Sequence, residues 1–167
     1  MNIGKLLAIL GGVLTILAMY LFTLFAASPY FSYAIGGFIT LNSVVVNSVL
    51  YAGNLGVGEW VIYLILIGYV VFVTTGFIQL GGASNKVPAI IGSVIPLLVG
   101  LLLIINGFTG ALSGFRYAME MFSGPALYMP FFPIHFEIGG IGFGTYLMII
   151  GSTLTLISVF IKKDSKT

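Results

Sequence analysis

The sequence predicts an all-α integral membrane protein, a four-transmembrane-helix bundle made of two parallel-repeat helical hairpins, each with an apolar outer-face segment of about 30 residues. Three observations lead there. Only 6% of the 167 residues are charged and 59% are hydrophobic, with a mean hydropathy of +1.19. An ordinary soluble domain carries about 25% charged residues, so these few ionised side chains are too sparse to cover a globule of this size. Four charge-free segments reach the length of about 20 apolar residues that roughly 30 Å of hydrocarbon demands. Finally, the basic residues collect on one side of those segments, all but one.

The first span is Leu6–Ala27, preceded by Lys5 and followed by Ser28-Pro29. Its apolar run exceeds the hydrophobic region of a signal peptide, and Pro29 would follow the small-residue site Ala26-Ala27-Ser28, so it is read as an uncleaved helix. The second and third spans are Trp60–Leu80 and Val87–Gly107, introduced by Glu59 and separated by Gly81-Gly82-Ala83-Ser84-Asn85-Lys86. The fourth, Ile141–Ile161, is closed by Lys162-Lys163. Backbone amides in lipid must be satisfied within their own segment, which selects helices over strands. With four helices, Lys5, Lys86, Lys162, Lys163 and Lys166 share one side and Arg116 lies on the other. The positive-inside rule then places both termini and the middle loop in the cytoplasm, in a multi-pass protein of the plasma membrane.

Tyr30–Ala52 is apolar enough to score as a fifth span. It holds Asn42, Ser43, Asn47 and Ser48 at its centre, and counting it would scatter the lysines over both faces. It is therefore expected on the outer side, at the interface, packed over the bundle or re-entrant.

The chain reads as one membrane domain over 1–167, with repeat halves 1–80 and 86–161 and a tail 162–167. Lys5–Tyr20 lies on Lys86–Leu101 without a gap, matching Lys5/Lys86, Ala8/Ala89, Ile9/Ile90, Gly11/Gly92, Val13/Val94 and Leu17/Leu98. Gly56–Val61 matches Gly142–Leu147, and the connections Ser28–Gly58 and Phe108–Gly140 are 31 and 33 residues long. Both halves run the same way, so a pseudo-two-fold axis along the membrane normal would relate them.

The outer segments are not polar loops. The second carries Phe115, Phe122, Tyr128, Phe131, Phe132 and Phe136, interrupted by Pro125, Pro130 and Pro133. Gly110–Ser123 is expected to hold a short helix with Arg116 and Glu120 at ion-pair spacing. An apolar, aromatic segment of this kind packs on the bundle, dips into the interface or binds a partner. These six aromatics are the candidate partner contacts. Glu59, Arg116, Glu120, His135 and Glu137 form the outer ionisable set. They read either as a solvated, ion-paired cap with carboxylates at helix N-termini, or as an ion site or gate in which Glu59 approaches the His135-x-Glu137 pair.

No Asp, Glu, Lys, Arg or His lies inside a span, which argues against ion-coupled transporters and proton pumps. Ser152, Thr155 and Ser158 recur every three residues along the last span, and with Asn106 they read as packing contacts or, less favourably, as a polar path. Gly11, Gly12, Gly92 and Gly151, with Ser152 and Thr155, are expected to let helices approach closely. No cysteine is present, which excludes disulfides, thiolate metal sites, iron–sulfur ligation and thiol catalysis. A net charge of +2 without a basic patch gives no reason to expect nucleic acid.

The layout of four spans with cytoplasmic termini and substantial outer loops resembles the claudin and tetraspanin families. It lacks the W-GLW-C-C signature of the first and the CCG motif of the second, since the sole tryptophan is Trp60 at a span boundary. No family residue is carried over. The expected function is non-enzymatic and without cofactor: assembly with copies of itself or with other membrane subunits within the lipid bilayer, through the apolar outer face. The alternative is a small oligomeric pore or facilitator with Glu59 at its mouth. An enzyme would require Glu59, His135 and Glu137 to bind a metal.

Overall fold

Hydrocarbon offers backbone amides no partner but the chain, and the protein is mostly helical. The computed structural model describes residues 2–27, 30–125 and 134–161. In chain order the elements are α1 (Ile3–Tyr20), β1 (Phe25–Ala27), β2 (Tyr30–Ser32), α2 (Ala34–Val46), α3 (Ser48–Leu55), α4 (Glu59–Gly81), α5 (Lys86–Thr109), α6 (Ser113–Glu120), β3 (Ser123–Pro125), β4 (Glu137–Ile138), β5 (Ile141–Gly142) and α7 (Phe143–Phe160). Four helices, α1, α4, α5 and α7, are long and apolar enough to cross a membrane. Asn2 and Asn85 cap α1 and α5, their side-chain oxygens accepting from the amides of Gly4 and Val87.

The long helices form a ring in the order α1, α4, α5, α7, each antiparallel to its neighbours. Gly12 faces Leu80, Gly81 faces Pro88, and Gly100 faces Ile149. The most extensive seam joins α1 to α7. A side chain at Gly11 would collide with Thr155 and the Gly151 carbonyl, and a Cβ at Gly151 would stand 2.6 Å from the Gly11 carbonyl. Glycines on both sides of this seam bring the two backbones together. The helix that α1 packs on most extensively is thus α7, the last in the chain.

Three features differ from the sequence reading. The first span ends early, at Tyr20, and Phe25–Ala27 is a strand. The reason lies in the partners waiting at the end of α1. The Leu21, Thr23 and Leu24 carbonyls accept from the amides of Ile134, Gly144 and Gly142 at 2.7, 3.0 and 3.0 Å, and Thr145 Oγ1 adds a 2.7 Å bond to Leu24. Carbonyls left open where the helix breaks are thus satisfied by residues 134–145. Secondly, the all-α expectation omits two small antiparallel sheets, β1-β2-β3 and β4-β5. The pairing of Phe31 with Gly124 joins the α1–α4 connection to the α5–α7 connection. Thirdly, the match of Gly56 and Gly58 to Gly142 and Gly144 is out of register. Gly58 caps α4 and Gly142 caps α7, whereas Gly56 ends α3 with φ +68° and Gly144 is inside α7.

The Tyr30–Ala52 segment is neither a straight span nor a loop. It forms α2 and α3, bent by 91° at Asn47, a pair that qualifies as a fifth span only if counted as one broken helix. The Tyr69 hydroxyl donates to the Ala34 carbonyl at 2.8 Å, so α2 starts beside the middle of α4. Ser48 at the elbow reaches Glu59 at the start of α4.

Candidate functional site

The polar centre of the bundle is built around Gln79, the sole glutamine of the chain, in the last turns of α4. Its side chain is 0% exposed and meets all three other long helices. Oε1 accepts from Thr15 Oγ1 of α1 at 2.9 Å and from Thr155 Oγ1 of α7 at 3.1 Å. Nε2 donates to the Gly92 carbonyl of α5 at 2.9 Å and to Ser152 Oγ of α7 at 3.3 Å. A carboxamide offers two acceptor sites and two donors, and all four are used.

The Gly92 bond has a specific cause. In a helix the carbonyl of residue 92 receives the amide of residue 96, but residue 96 is the proline inside α5 and has no N–H. Gln79 supplies the missing donor from the neighbouring helix. Gly92 also lets it approach, because a Cβ there would lie 2.7 Å from the Gln79 amide nitrogen. Sequence reasoning missed this residue. The available signal is a lone glutamine within an otherwise apolar span, coupled to a mid-span proline on the next.

Of the predicted packing residues, Gly11, Gly92, Gly151, Ser152 and Thr155 surround this centre, and Gly12 packs on Leu80 beside it. Ser158 turns to its own helix and donates to the Thr155 carbonyl at 2.6 Å. Asn106 is remote from the centre, near the other end of α5, where its Oδ1 accepts from the Leu112 amide at 3.2 Å. Leu103, Val73 and Met148, all buried, fill the turns between. Asn106 therefore does not continue the polar centre around Gln79.

The ionisable residues expected on the outer side fall into three groups. Glu59 Oε1 accepts from Ser48 Oγ at 2.6 Å and from Tyr63 OH at 3.1 Å, which fastens the α2–α3 elbow to α4. Arg116 Nε pairs with Glu120 Oε1 at 2.7 Å along α6, as the spacing predicts. His135 Nε2 lies 4.0 Å from Glu137 Oε1 beside β4. Among the described residues no three His, Asp or Glu side chains come together as metal ligands, so Glu59 does not join the His135–Glu137 pair in such a site. A second tie at this end runs from Asn54 Nδ2 to Tyr117 OH at 2.7 Å, linking α3 to α6.

The candidate partner aromatics divide as well. Phe122 is 1% exposed and stacks on Tyr69 with ring centroids 4.1 Å apart, so it is a core residue rather than an exposed contact. Phe115 is partly buried against that core. Phe136 is 53% exposed and rests edge-on against Phe143. Tyr128, Phe131 and Phe132 lie outside the described residues. Among the described residues between the long helices, the most exposed apolar side chains are instead on the α2–α3 elbow, where Val46 and Val49 are 73% and 71% exposed beside Leu50. No protein-family model, curated protein or solved structure matches the chain.

Proposed function

We propose that this is a non-enzymatic, multi-pass membrane protein that acts by assembly, as a structural component or accessory subunit of a membrane complex. Its partner is a second copy or another membrane subunit. The observation that carries the reading is the α2–α3 elbow. Val46, Val49 and Leu50 project from a rigidly tied bend, held by Glu59 and Ser48, at the same end of the bundle as Asn54 and Tyr117. An apolar surface held in shape by polar clamps suits a docking face. The end bearing Lys5 and Lys86 is the cytoplasmic one in this reading, the membrane is the plasma membrane, and the two halves descend from a parallel duplication.

The alternative, a small oligomeric pore, has less to rest on, because Ser152 and Thr155 are engaged by Gln79 and Asn106 stands apart from them. The test is the mass of the particle extracted gently from its own membrane. A complex with other proteins, or a dimer or larger homomer that Val46→Ser with Val49→Ser dissociates without lowering the unfolding midpoint, supports assembly. A stable monomer in lipid nanodiscs and in native extracts overturns it. Flux through vesicles containing the purified protein, absent from empty vesicles, would favour the pore instead.

A further inference from the structure

Between α4 and α5 lies a half-open cavity of about 280 Å³. Gly68 and Phe72 of α4, Ile95 and Val99 of α5, Met119 of α6 and Phe122 just beyond it line the cavity. The nearby polar atom, the Tyr69 hydroxyl, is already bonded to the Ala34 carbonyl. We propose that this cleft holds an acyl chain of a bilayer lipid. The proposal needs only that α4 and α5 cross a bilayer and is independent of the assembly reading.

Depth and chemistry together identify the occupant. Gly68 is near the middle of Glu59–Gly81 and Val99 near the middle of Lys86–Thr109, so the cleft opens at mid-depth of two spans. Exposed Leu64, Ile67, Leu98 and Leu102 continue the same apolar surface around it. The medium against that surface is hydrocarbon, and an apolar cavity does not hold water. A helix about 10 Å across is too thick to enter, whereas a flexible chain is not. An empty cleft would forfeit the dispersion contacts of its lining. Gly68 marks the entry, since a Cβ there would meet nothing within 4 Å.

The protein is reconstituted in phosphatidylcholine carrying a diazirine near the chain terminus, photolysed, and its adducts are mapped by mass spectrometry. Adducts are expected on Phe72 and Met119, which are 4% and 9% exposed and out of reach of lipid that only coats the surface. Gly68→Phe should reduce those adducts several-fold and leave labelling of exposed Ile90 and Ile91 unchanged. Gly53→Phe, at an equally open position on α3, should change neither. Adducts confined to Leu64, Ile67, Leu98 and Leu102 would overturn the proposal. The map of the unsubstituted protein decides the matter even if Gly68→Phe does not fold. A folded Gly68→Phe variant with undiminished Met119 labelling would also refute it.

Discussion

Replacing Gln79 with leucine removes the carboxamide at nearly constant volume, so the cavity contribution is small. Loss of Oε1 is partly absorbed. The Thr15 and Thr155 hydroxyls each have a carbonyl of their own helix, Gly11 and Gly151, within 3.0 and 3.1 Å. Loss of Nε2 is not absorbed, because Pro96 leaves the Gly92 carbonyl with no donor in its own helix. An orphaned buried carbonyl costs about 1–3 kcal/mol, and interhelical side-chain bonds in a membrane average about 0.6 kcal/mol. The expected destabilisation is therefore about 2–3 kcal/mol. Pro96→Ala returns an N–H to position 96, and the helix can then satisfy Gly92 itself. In that background Gln79→Leu should cost only about 1 kcal/mol, a coupling of about 1.5 kcal/mol between residues on different helices. Reversible unfolding in mixed micelles, followed by circular dichroism for the four proteins of the cycle, measures it. Additivity within about 0.5 kcal/mol would refute the claim that Gln79 serves the carbonyl that the proline leaves open.

Gly11→Leu should destabilise by about 1–3 kcal/mol or more, because Thr155 and the Gly151 backbone occupy the space it needs; Gly53→Leu, facing open space, is the matched control in the same unfolding assay. Glu59→Gln retains an oxygen for Ser48 and Tyr63, whereas Glu59→Leu removes both bonds. Hydrogen exchange over Ser48–Leu55 should accelerate in the leucine variant alone, by a factor corresponding to about 1–2 kcal/mol. Since the chain has no cysteine, single cysteines at Ala83 and Asn54 report the faces directly. An impermeant maleimide added outside intact cells should label Asn54→Cys and not Ala83→Cys. Arg116→Ala should shift stability by less than about 0.5 kcal/mol, since its pair with Glu120 is a solvent-exposed helix pair.

The long helices are legible in the sequence because charge cannot be hidden in lipid: Lys5, Glu59 and Lys86 mark ends that periodicity alone would blur. The Arg116–Glu120 helix is legible for a local reason too, its spacing. What composition cannot show is where an apolar stretch stops being helical. Leu21–Ala27 is as apolar as the helix before it, and α1 ends there because amides from Ile134, Gly142 and Gly144, over a hundred residues away, take its carbonyls. The polar centre was half legible. Thr15, Ser152 and Thr155 stand out as polar residues in apolar spans, but Gln79 sits at a predicted span edge, where polar residues are ordinary. Its role emerges only when Gly92 and Pro96 are known to face it. Phe122 shows the opposite failure: an aromatic in a Pro-rich connection reads as surface, yet here it is stacked inside on Tyr69.

The length of the connections follows from how the spans are staggered about that centre. From Gln79, α4 runs to Glu59 and from Gly92, α5 runs to Thr109, about 25–30 Å each, whereas α1 ends about 8 Å beyond Thr15 and α7 starts about 14 Å beyond Ser152. A chain leaving α1 must therefore climb about 20 Å along α4 before it can turn into it, and the 13 residues of α2 cover that rise. On the other side α6 and β3 line the return from α5 toward the sheet they share with β2. Segments that run beside spans rather than above them face apolar surface on the inside, which is why they are rich in Phe, Val and Ile and poor in charge. Apolarity in these connections is thus mostly a consequence of packing. It bears on assembly only where side chains remain uncovered after that packing, among them Phe38 and Ile39 on α2, Val46, Val49 and Leu50 on the elbow, and Phe136 and Ile138 at β4. Substitutions at such uncovered positions, and not at Phe115 or Phe122, are the ones that separate a docking face from a folded core.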